Sequence, residues 1–128
     1  MKKMALLMLF ATTLLADSIT LDNQTDYPAK HSKMAVQWAS SAREVDDLNR
    51  ALVDGEPIDP ATLQKISEKG KVKLRVPKNG ELFRVLVWAK GGGEPDYTTN
   101  WIDLTPSKTY TLQNDALIPV VLMAGSGC

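Results

Sequence analysis

Short stretches in which polar and apolar side chains alternate constrain this chain more than any other feature. The clearest is Lys71-Val72-Lys73-Leu74-Arg75-Val76, in which every second residue is charged. Because side chains two residues apart share one face of a strand, this pattern predicts a β-strand with one buried and one solvated face. Alternation at residues 18–23 and 33–38 predicts two earlier strands, which we expect to pair antiparallel across the turn between them.

The second half of the chain continues the β pattern. Residues 82–89 are almost wholly apolar, which predicts a central strand buried on both faces. The Asn79-Gly80 dipeptide before it predicts a hairpin turn, because both residues accept the positive φ angles that such turns need. Pro119 indicates that the last strand lies at an edge or contains a bulge. The remaining predicted strands are residues 97–104, 109–112 and 117–123.

Between the second and third strands the apolar period changes to that of a helix. Ser41-Ala42-Arg43-Glu44 has the pattern of a capping box, which predicts a helix start. Asp59-Pro60 predicts the start of a second short helix, which we expect to end at Gly70. The helical insertion is therefore expected over about residues 41–69. The apolar face of the first helix is Val45, Leu48 and Leu52.

About seven short strands with regular turns favour a mainly β fold. We expect an antiparallel, immunoglobulin-like β-sandwich with the two-helix insertion between its second and third strands. The alternative is an α+β open sheet with the helices on one face.

The N-terminus has the three parts of a secretory signal peptide. Lys2 and Lys3 are followed by an apolar run, Met4–Leu15, and by the small residue Ala16. The run is short for a transmembrane helix, which needs about 20 apolar residues. Residues 1–16 are therefore predicted to be a signal peptide and residues 17–128 a single β-rich domain. Its expected location is outside the cytoplasm, periplasmic or extracellular; a buried N-terminal helix is the alternative.

Charge and composition argue against several classes of function. The 15 basic and 15 acidic residues balance, so we expect no nucleic-acid partner. No segment after residue 16 has an apolar run long enough to span a membrane, so we expect no integral membrane segment after signal cleavage. One histidine and one cysteine cannot supply the usual ligands of a zinc site, so no metal and no cofactor are expected. Gly91-Gly92-Gly93 leads into a predicted strand rather than a helix, which favours a hairpin loop over a phosphate loop.

The single cysteine, Cys128, is the last residue of the chain. An unpaired cysteine in an exported protein indicates a disulfide to another chain or a free thiol. The preceding Gly125-Ser126-Gly127 is expected to give it reach. We therefore predict some disulfide-linked dimer, the alternative being a thiol without a role.

Few residues are candidates for catalysis. His31 is the only histidine, and it lies in a polar stretch that reads as a solvated loop. A carboxylate-dependent hydrolase needs two suitably spaced acids, and Asp103 with Glu94 or Asp96 is the pair nearest the glycine loop. Both readings are weaker than the hypothesis that the protein is not an enzyme.

Tyr97 and Trp101 are the candidate ligand-binding aromatics. A regular strand would place both on one face beside the glycine loop, with Asn100 turned away from that face unless the strand starts later. Aromatic rings with polar neighbours can stack on a sugar, so a carbohydrate- or cell-wall-binding module is the alternative function.

The function favoured by the sequence is an exported, non-enzymatic module that acts through contact with another protein. Its expected contact surfaces are the helical face of Val45, Leu48 and Leu52 and the sheet edge near Pro119. A glycan remains the alternative partner.

Overall fold

A computed structural model describes residues 18–125 of the chain, and these residues form a mainly β structure. The predicted signal peptide, residues 1–16, and Cys128 lie outside the described residues. In chain order the elements are β1 (Ser18–Asn23), β2 (Lys33–Ala39), α1 (Ala42–Val53), a 3-10 turn (Pro60–Thr62), β3 (Gln64–Lys65), β4 (Gly70–Arg75), β5 (Leu82–Trp88), β6 (Tyr97–Thr98), β7 (Ile102–Asp103), β8 (Thr109–Leu112), a second 3-10 turn (Asn114–Ala116), β9 (Ile118–Pro119) and α2 (Val120–Gly125).

The strands form two sheets. Sheet A has the order β4-β1-β8, in which β1 pairs antiparallel with β4 and parallel with β8. Sheet B has the order β3-β2-β5-β6-β9. Strand β7 also pairs with β5, at Leu82 and Phe83. Because sheet A contains a parallel pair, the expected wholly antiparallel arrangement is wrong. A single open sheet is also wrong, since two separate sheets are present.

The hydrophobic core has two parts, one on each face of sheet B. Cluster 1 brings together side chains of both sheets: Ile19, Leu21, Met34, Val36, Ile66, Leu74, Phe83, Val85, Val87, Tyr110 and Leu112. Cluster 2 lies on the other face of sheet B, against the helices: Ala35, Leu52, Leu86, Trp88 and Val120. Strand β5 contributes to both clusters and is buried from Phe83 to Trp88, which confirms the prediction of a central strand buried on both faces.

Helix α1 begins where the capping box predicts. The Ser41 hydroxyl accepts a hydrogen bond from the Glu44 backbone N–H at 3.2 Å. The Glu44 carboxylate returns to the backbone N–H of Ser40, one residue earlier than the usual box, at 2.7 Å. These bonds satisfy backbone donors at the start of the helix that would otherwise lack partners. The helix packs against sheet B through Leu52.

Two predicted strand pairings do not form. Strands β1 and β2 belong to different sheets, and so do β4 and β5 on either side of Asn79-Gly80. The turn at Asn79-Gly80 therefore connects the sheets instead of closing a hairpin. Both β4 and β1 present alternating apolar residues to cluster 1, so each gains more by pairing with the other than with its neighbour in sequence.

The second predicted helix is a single 3-10 turn followed by β3. Asp59 caps the turn, as expected, through Oδ1 and the Ala61 N–H at 2.9 Å. Leu63 then packs on cluster 2 and Ile66 on cluster 1. Residues three apart lie on opposite faces of a strand, so these two side chains fill both clusters only when the backbone between them is extended.

The last predicted strand, residues 117–123, is mostly helix α2. Only Ile118 and Pro119 pair, with β6. Val120 and Met123 both pack on cluster 2, and this spacing of three residues matches one face of a helix. A short apolar run does not distinguish strand from helix by its own pattern, and here the position of cluster 2 decides.

Candidate functional site

The predicted aromatic pair is separated by sheet B. Tyr97 packs against cluster 1, with its ring 5.8 Å from that of Tyr27. Trp101 lies on the other face, where its indole N–H donates to Asn49 Oδ1 of α1 at 2.9 Å. Asn100 is exposed. These three residues therefore do not form a single stacking platform.

An interruption between β6 and β7 causes this separation. The hydroxyl of Thr99 accepts a hydrogen bond from the Val85 backbone N–H at 3.0 Å, while the Thr99 N–H donates to the Val85 carbonyl. Thr98 and Thr99 are both buried, so side chains do not alternate between the faces at this point. The expected regular strand over residues 97–104 is thus two short pairings joined by an irregular segment.

The candidate catalytic carboxylates are also apart. Asp96 accepts from the Ala89 backbone N–H at 2.7 Å beside the Val87 end of β5. Asp103 pairs with Leu82 at the opposite end of that strand. The five residue steps from Leu82 to Val87 span about 17 Å along the strand. A glycosidase pair needs about 5–10 Å between its carboxyl groups. Glu94 and Asp96 line one cleft and Asp103 lines another, so the proposed pair is not assembled.

His31 is exposed at the turn before β2. Among the described residues, no three histidine, cysteine or acidic side chains come close enough together to hold a metal ion.

A buried arginine is the least expected polar feature of the structure. Arg84 of β5 is 1% exposed, on the face of sheet B covered by α1. Its Nε donates to Gln37 Oε1 at 2.7 Å, and its Nη1 donates to Asn49 Oδ1 at 2.9 Å. Its Nη2 donates to the Leu48 carbonyl at 3.2 Å. The guanidinium carbon lies 4.4 Å from the centroid of the Trp101 ring.

The charge of Arg84 is held without an acid. The ion pair found among the described residues joins Arg50 to Asp47 and does not involve Arg84. Burial lowers the pKa of Arg84 from its ordinary value to about 10, so the guanidinium stays charged at neutral pH. Its partners are neutral oxygens and an aromatic face. The network of Gln37, Arg84, Asn49 and Trp101 therefore fastens α1 to sheet B.

An apolar surface lies where the end of α1 meets α2. In the described part of the chain three large hydrophobic side chains are exposed: Val53 at 40%, Val121 at 74% and Leu122 at 61%. Val53 ends α1, and α1 packs against α2, which carries the other two. Exposed apolar side chains that occur together, rather than scattered singly, indicate a site of contact.

Val53 and Val121 border a cleft, named here the C-terminal cleft, and Leu122 follows Val121 in α2. The cleft is lined by Leu52, Val53, Gly55, Glu94, Pro95, Asp96, Tyr97, Pro119, Val120 and Val121. Glu94 lies close to Gly55 at the end of α1, since a Cβ on Gly55 would come within 2.8 Å of its carboxylate oxygen. The lining combines apolar side chains with two acids and contains no basic residue.

The sequence pattern located this site only in part. The sequence predicts contact surfaces at Pro119 and on the helix carrying Leu52, but Leu52 itself is buried and Val45 and Leu48 are half-buried. It predicts a strand, not a helix, for Val121 and Leu122. The signal that would have identified them is the spacing of Val120 and Met123, which fits a helix with its other side exposed.

No protein-family model, curated protein or solved structure matches this chain significantly. Neither helix of the described residues has the length and apolar character needed to span a bilayer.

Proposed function

We propose that this protein is an exported, non-enzymatic module that binds another protein through the C-terminal cleft. The observation that carries the proposal is the exposure of Val53 and Val121 at the border of one cleft, with the exposed Leu122 next to Val121 in α2. Surfaces of this kind gain affinity by removing apolar area from water, about 25 cal/mol for each Å² buried. The N-terminal sequence pattern supports export, to the periplasm or the extracellular space.

The charge of the cleft narrows the chemistry of the partner. Glu94 and Asp96 line it without a basic residue. A partner that brings lysine or arginine next to an apolar side chain would match both properties, and one with acidic neighbours would be repelled. A second copy of this chain would place the same acids against each other in a symmetric dimer, so a different protein fits better.

We also infer that the two sheets form an immunoglobulin-like sandwich. The support is cluster 1, which takes side chains from both sheets, and the pairing of the first strand with β8.

The test is capture of a partner by the exported form of the protein, compared with a variant carrying Val121→Asp and Leu122→Asp. We expect the pair of substitutions to reduce retention of the partner at least tenfold, because it places two charges in the apolar surface. Both side chains are exposed in the free protein, so the fold should tolerate the change.

The matched control is Thr111→Asp, an exposed position on β8 of sheet A. It should retain the partner at the level of the unmodified protein. A partner that binds the doubly substituted variant equally well would show that binding does not take place through the C-terminal cleft. A protein that captures no partner but converts a substrate would refute the function itself.

A carbohydrate-binding role remains the alternative. Trp101 is half-buried and Asn100 is exposed beside it, so a sugar could contact these two without Tyr97. Glycan-array binding that is lost in Trp101→Ala, with the fold intact by circular dichroism, would favour this alternative over protein contact.

A further inference from the structure

The edge of sheet B leaves one backbone position of β2 without a strand partner. Strand β3 pairs with Ala35 and Val36 only, and the Ile66 N–H extends this contact to the Met34 carbonyl at 2.9 Å. Residues of an antiparallel strand direct their N–H and C=O groups alternately to one neighbour and the other. The Ala39 carbonyl accepts from Glu81 on the β5 side, so the backbone groups of Trp38 face the β3 side.

The chain turns away at the residue that would complete this pairing. The β2–β3 register, extended by two residues, sets Thr62 opposite Trp38. Thr62 belongs instead to the 3-10 turn, where its N–H donates to the Asp59 carbonyl at 3.0 Å. Among the described residues, no backbone group takes the place of Thr62. The N–H and C=O of Trp38 are left at an open edge because the Asp59-Pro60 turn ends the neighbouring strand.

The open edge lies in a groove, named here the β2-edge groove. It is lined by Gln37, Trp38, Glu44, Leu48, Thr62, Leu63, Gln64, Arg75 and Pro77. Gln64 forms part of the groove wall: its Nε2 donates to the Arg75 carbonyl at 3.2 Å, and its Oε1 is buried.

We propose that the β2-edge groove binds an extended peptide segment of a partner protein, which adds as a strand at Trp38. The proposal rests on the protein-binding function above and assigns it a second contact. One residue of an extended peptide can exchange both backbone hydrogen bonds with Trp38. The open groups thus match the regular donors and acceptors of a peptide backbone.

The side chains of the groove select what the peptide carries. Trp38, Leu48 and Leu63 are half-buried and offer apolar surface on both sides of the open edge. An apolar side chain on the paired peptide residue would bury against them. The edge is only one residue pair long before β2 ends at Ala39, so a segment of two or three residues fills it. This shortness also limits pairing between copies of the whole sheet.

Amide hydrogen exchange of the full chain, followed by NMR, tests the open edge directly. We expect the Trp38 amide to exchange at least about a hundredfold faster than those of Val36 and Gln37, whose N–H groups face β3 and β5. A Trp38 amide as protected as its two neighbours in the free protein would show that the edge is closed and would overturn the proposal.

Selection from a random-peptide phage library then tests the occupant. We expect selected peptides to slow exchange of the Trp38 amide at least tenfold.

The outcomes separate this proposal from the function proposed above. The variant with Val121→Asp and Leu122→Asp should keep peptide binding, because neither substituted residue lines the β2-edge groove. Selected peptides that leave the Trp38 amide unprotected, or no selected peptide at all, would refute strand addition while leaving the C-terminal cleft untouched. Protection of Trp38 by an oligosaccharide instead of a peptide would also overturn it.

Discussion

Replacement of Arg84 by methionine tests whether the fold requires the guanidinium charge itself or only a hydrogen-bond donor for Gln37. Arg84→Met removes a charge that has lost nearly all of its water, and such removal favours the folded state. It also removes the hydrogen bond to Gln37 Oε1, which lies on a side chain only 6% exposed. The balance depends on which of these two effects is larger.

The neighbouring hydrogen bonds indicate that the unpaired oxygen of Gln37 has the larger effect on the free energy of unfolding. Asn49 Oδ1 keeps its hydrogen bond from Trp101, and the Leu48 carbonyl belongs to the ladder of α1. Only Gln37 is left without a partner, at a cost of about 1–3 kcal/mol. Loss of the contact between the guanidinium and the Trp101 ring destabilises the variant by about 0.5–2 kcal/mol more. This loss is offset because methionine carries no charge that must be removed from water on folding. We expect Arg84→Met to lower the free energy of unfolding by about 1–3 kcal/mol.

The double variant Arg84→Met with Gln37→Leu should be more stable than Arg84→Met alone. Replacing both partners by apolar groups leaves no buried acceptor, so we expect a free energy of unfolding within about 1 kcal/mol of the unmodified protein. Urea denaturation of all four members of the cycle measures the coupling. A double variant that is no more stable than Arg84→Met would show that the charge itself, and not the orphaned amide, is what the fold requires.

The same cycle has an expected dependence on pH. Burial lowers the pKa of Arg84 in the folded state to about 10, below its value in the unfolded chain, so the group is protonated in both states below about pH 9. The cost of Arg84→Met should therefore be equal at pH 5.5 and pH 8. Stability linked to this arginine would rise only above pH 10, where the folded state releases the proton before the unfolded state does.

Three further predictions concern other parts of the chain. Gly91→Ala should destabilise by about 1–3 kcal/mol, because φ is +90° and the new Cβ would lie 2.8 Å from the His31 carbonyl, whereas Gly92→Ala, with open space around it, should change the free energy of unfolding by less than about 0.5 kcal/mol in urea. Trp88→Phe should cost about 1–3 kcal/mol, since the buried indole N–H donates to two loop carbonyls, and a melting temperature unchanged from the original would contradict this. The exported protein left in air should form some disulfide-linked dimer on a non-reducing gel, and Cys128→Ser should form none; a monomer whose thiol reacts only after unfolding would refute that expectation.

Most strands could be placed from the sequence because their side chains alternate. Lys71 to Arg75 and Ser18 to Asn23 are strands in the structure with the expected buried positions. The continuous apolar run of β5 correctly indicated a strand between two packed layers. Local capping hydrogen bonds could also be predicted from the sequence, since Ser41 and Asp59 both cap the turns that follow them.

The candidate sites were harder to predict than the strands. The prediction that put Tyr97 and Trp101 on one face assumed a regular strand, and the buried Thr98-Thr99 pair interrupts it. Nothing in the local sequence announces this interruption, because it depends on the Thr99 hydroxyl reaching the backbone of β5. The open edge at Trp38 likewise depends on two segments more than 20 positions apart in the chain.

The sequence by itself determined which short segments are extended, where α1 begins and which strand is buried on both faces, because these follow from the period of apolar residues and from capping groups within a few positions. Only the tertiary structure decided which strands pair, since β1 and β4 are joined across nearly 50 residues by the cluster they share. It also decided that residues 120–125 are helical and that Arg84 is buried. Both depend on surfaces that exist only once the two sheets and α1 have packed together.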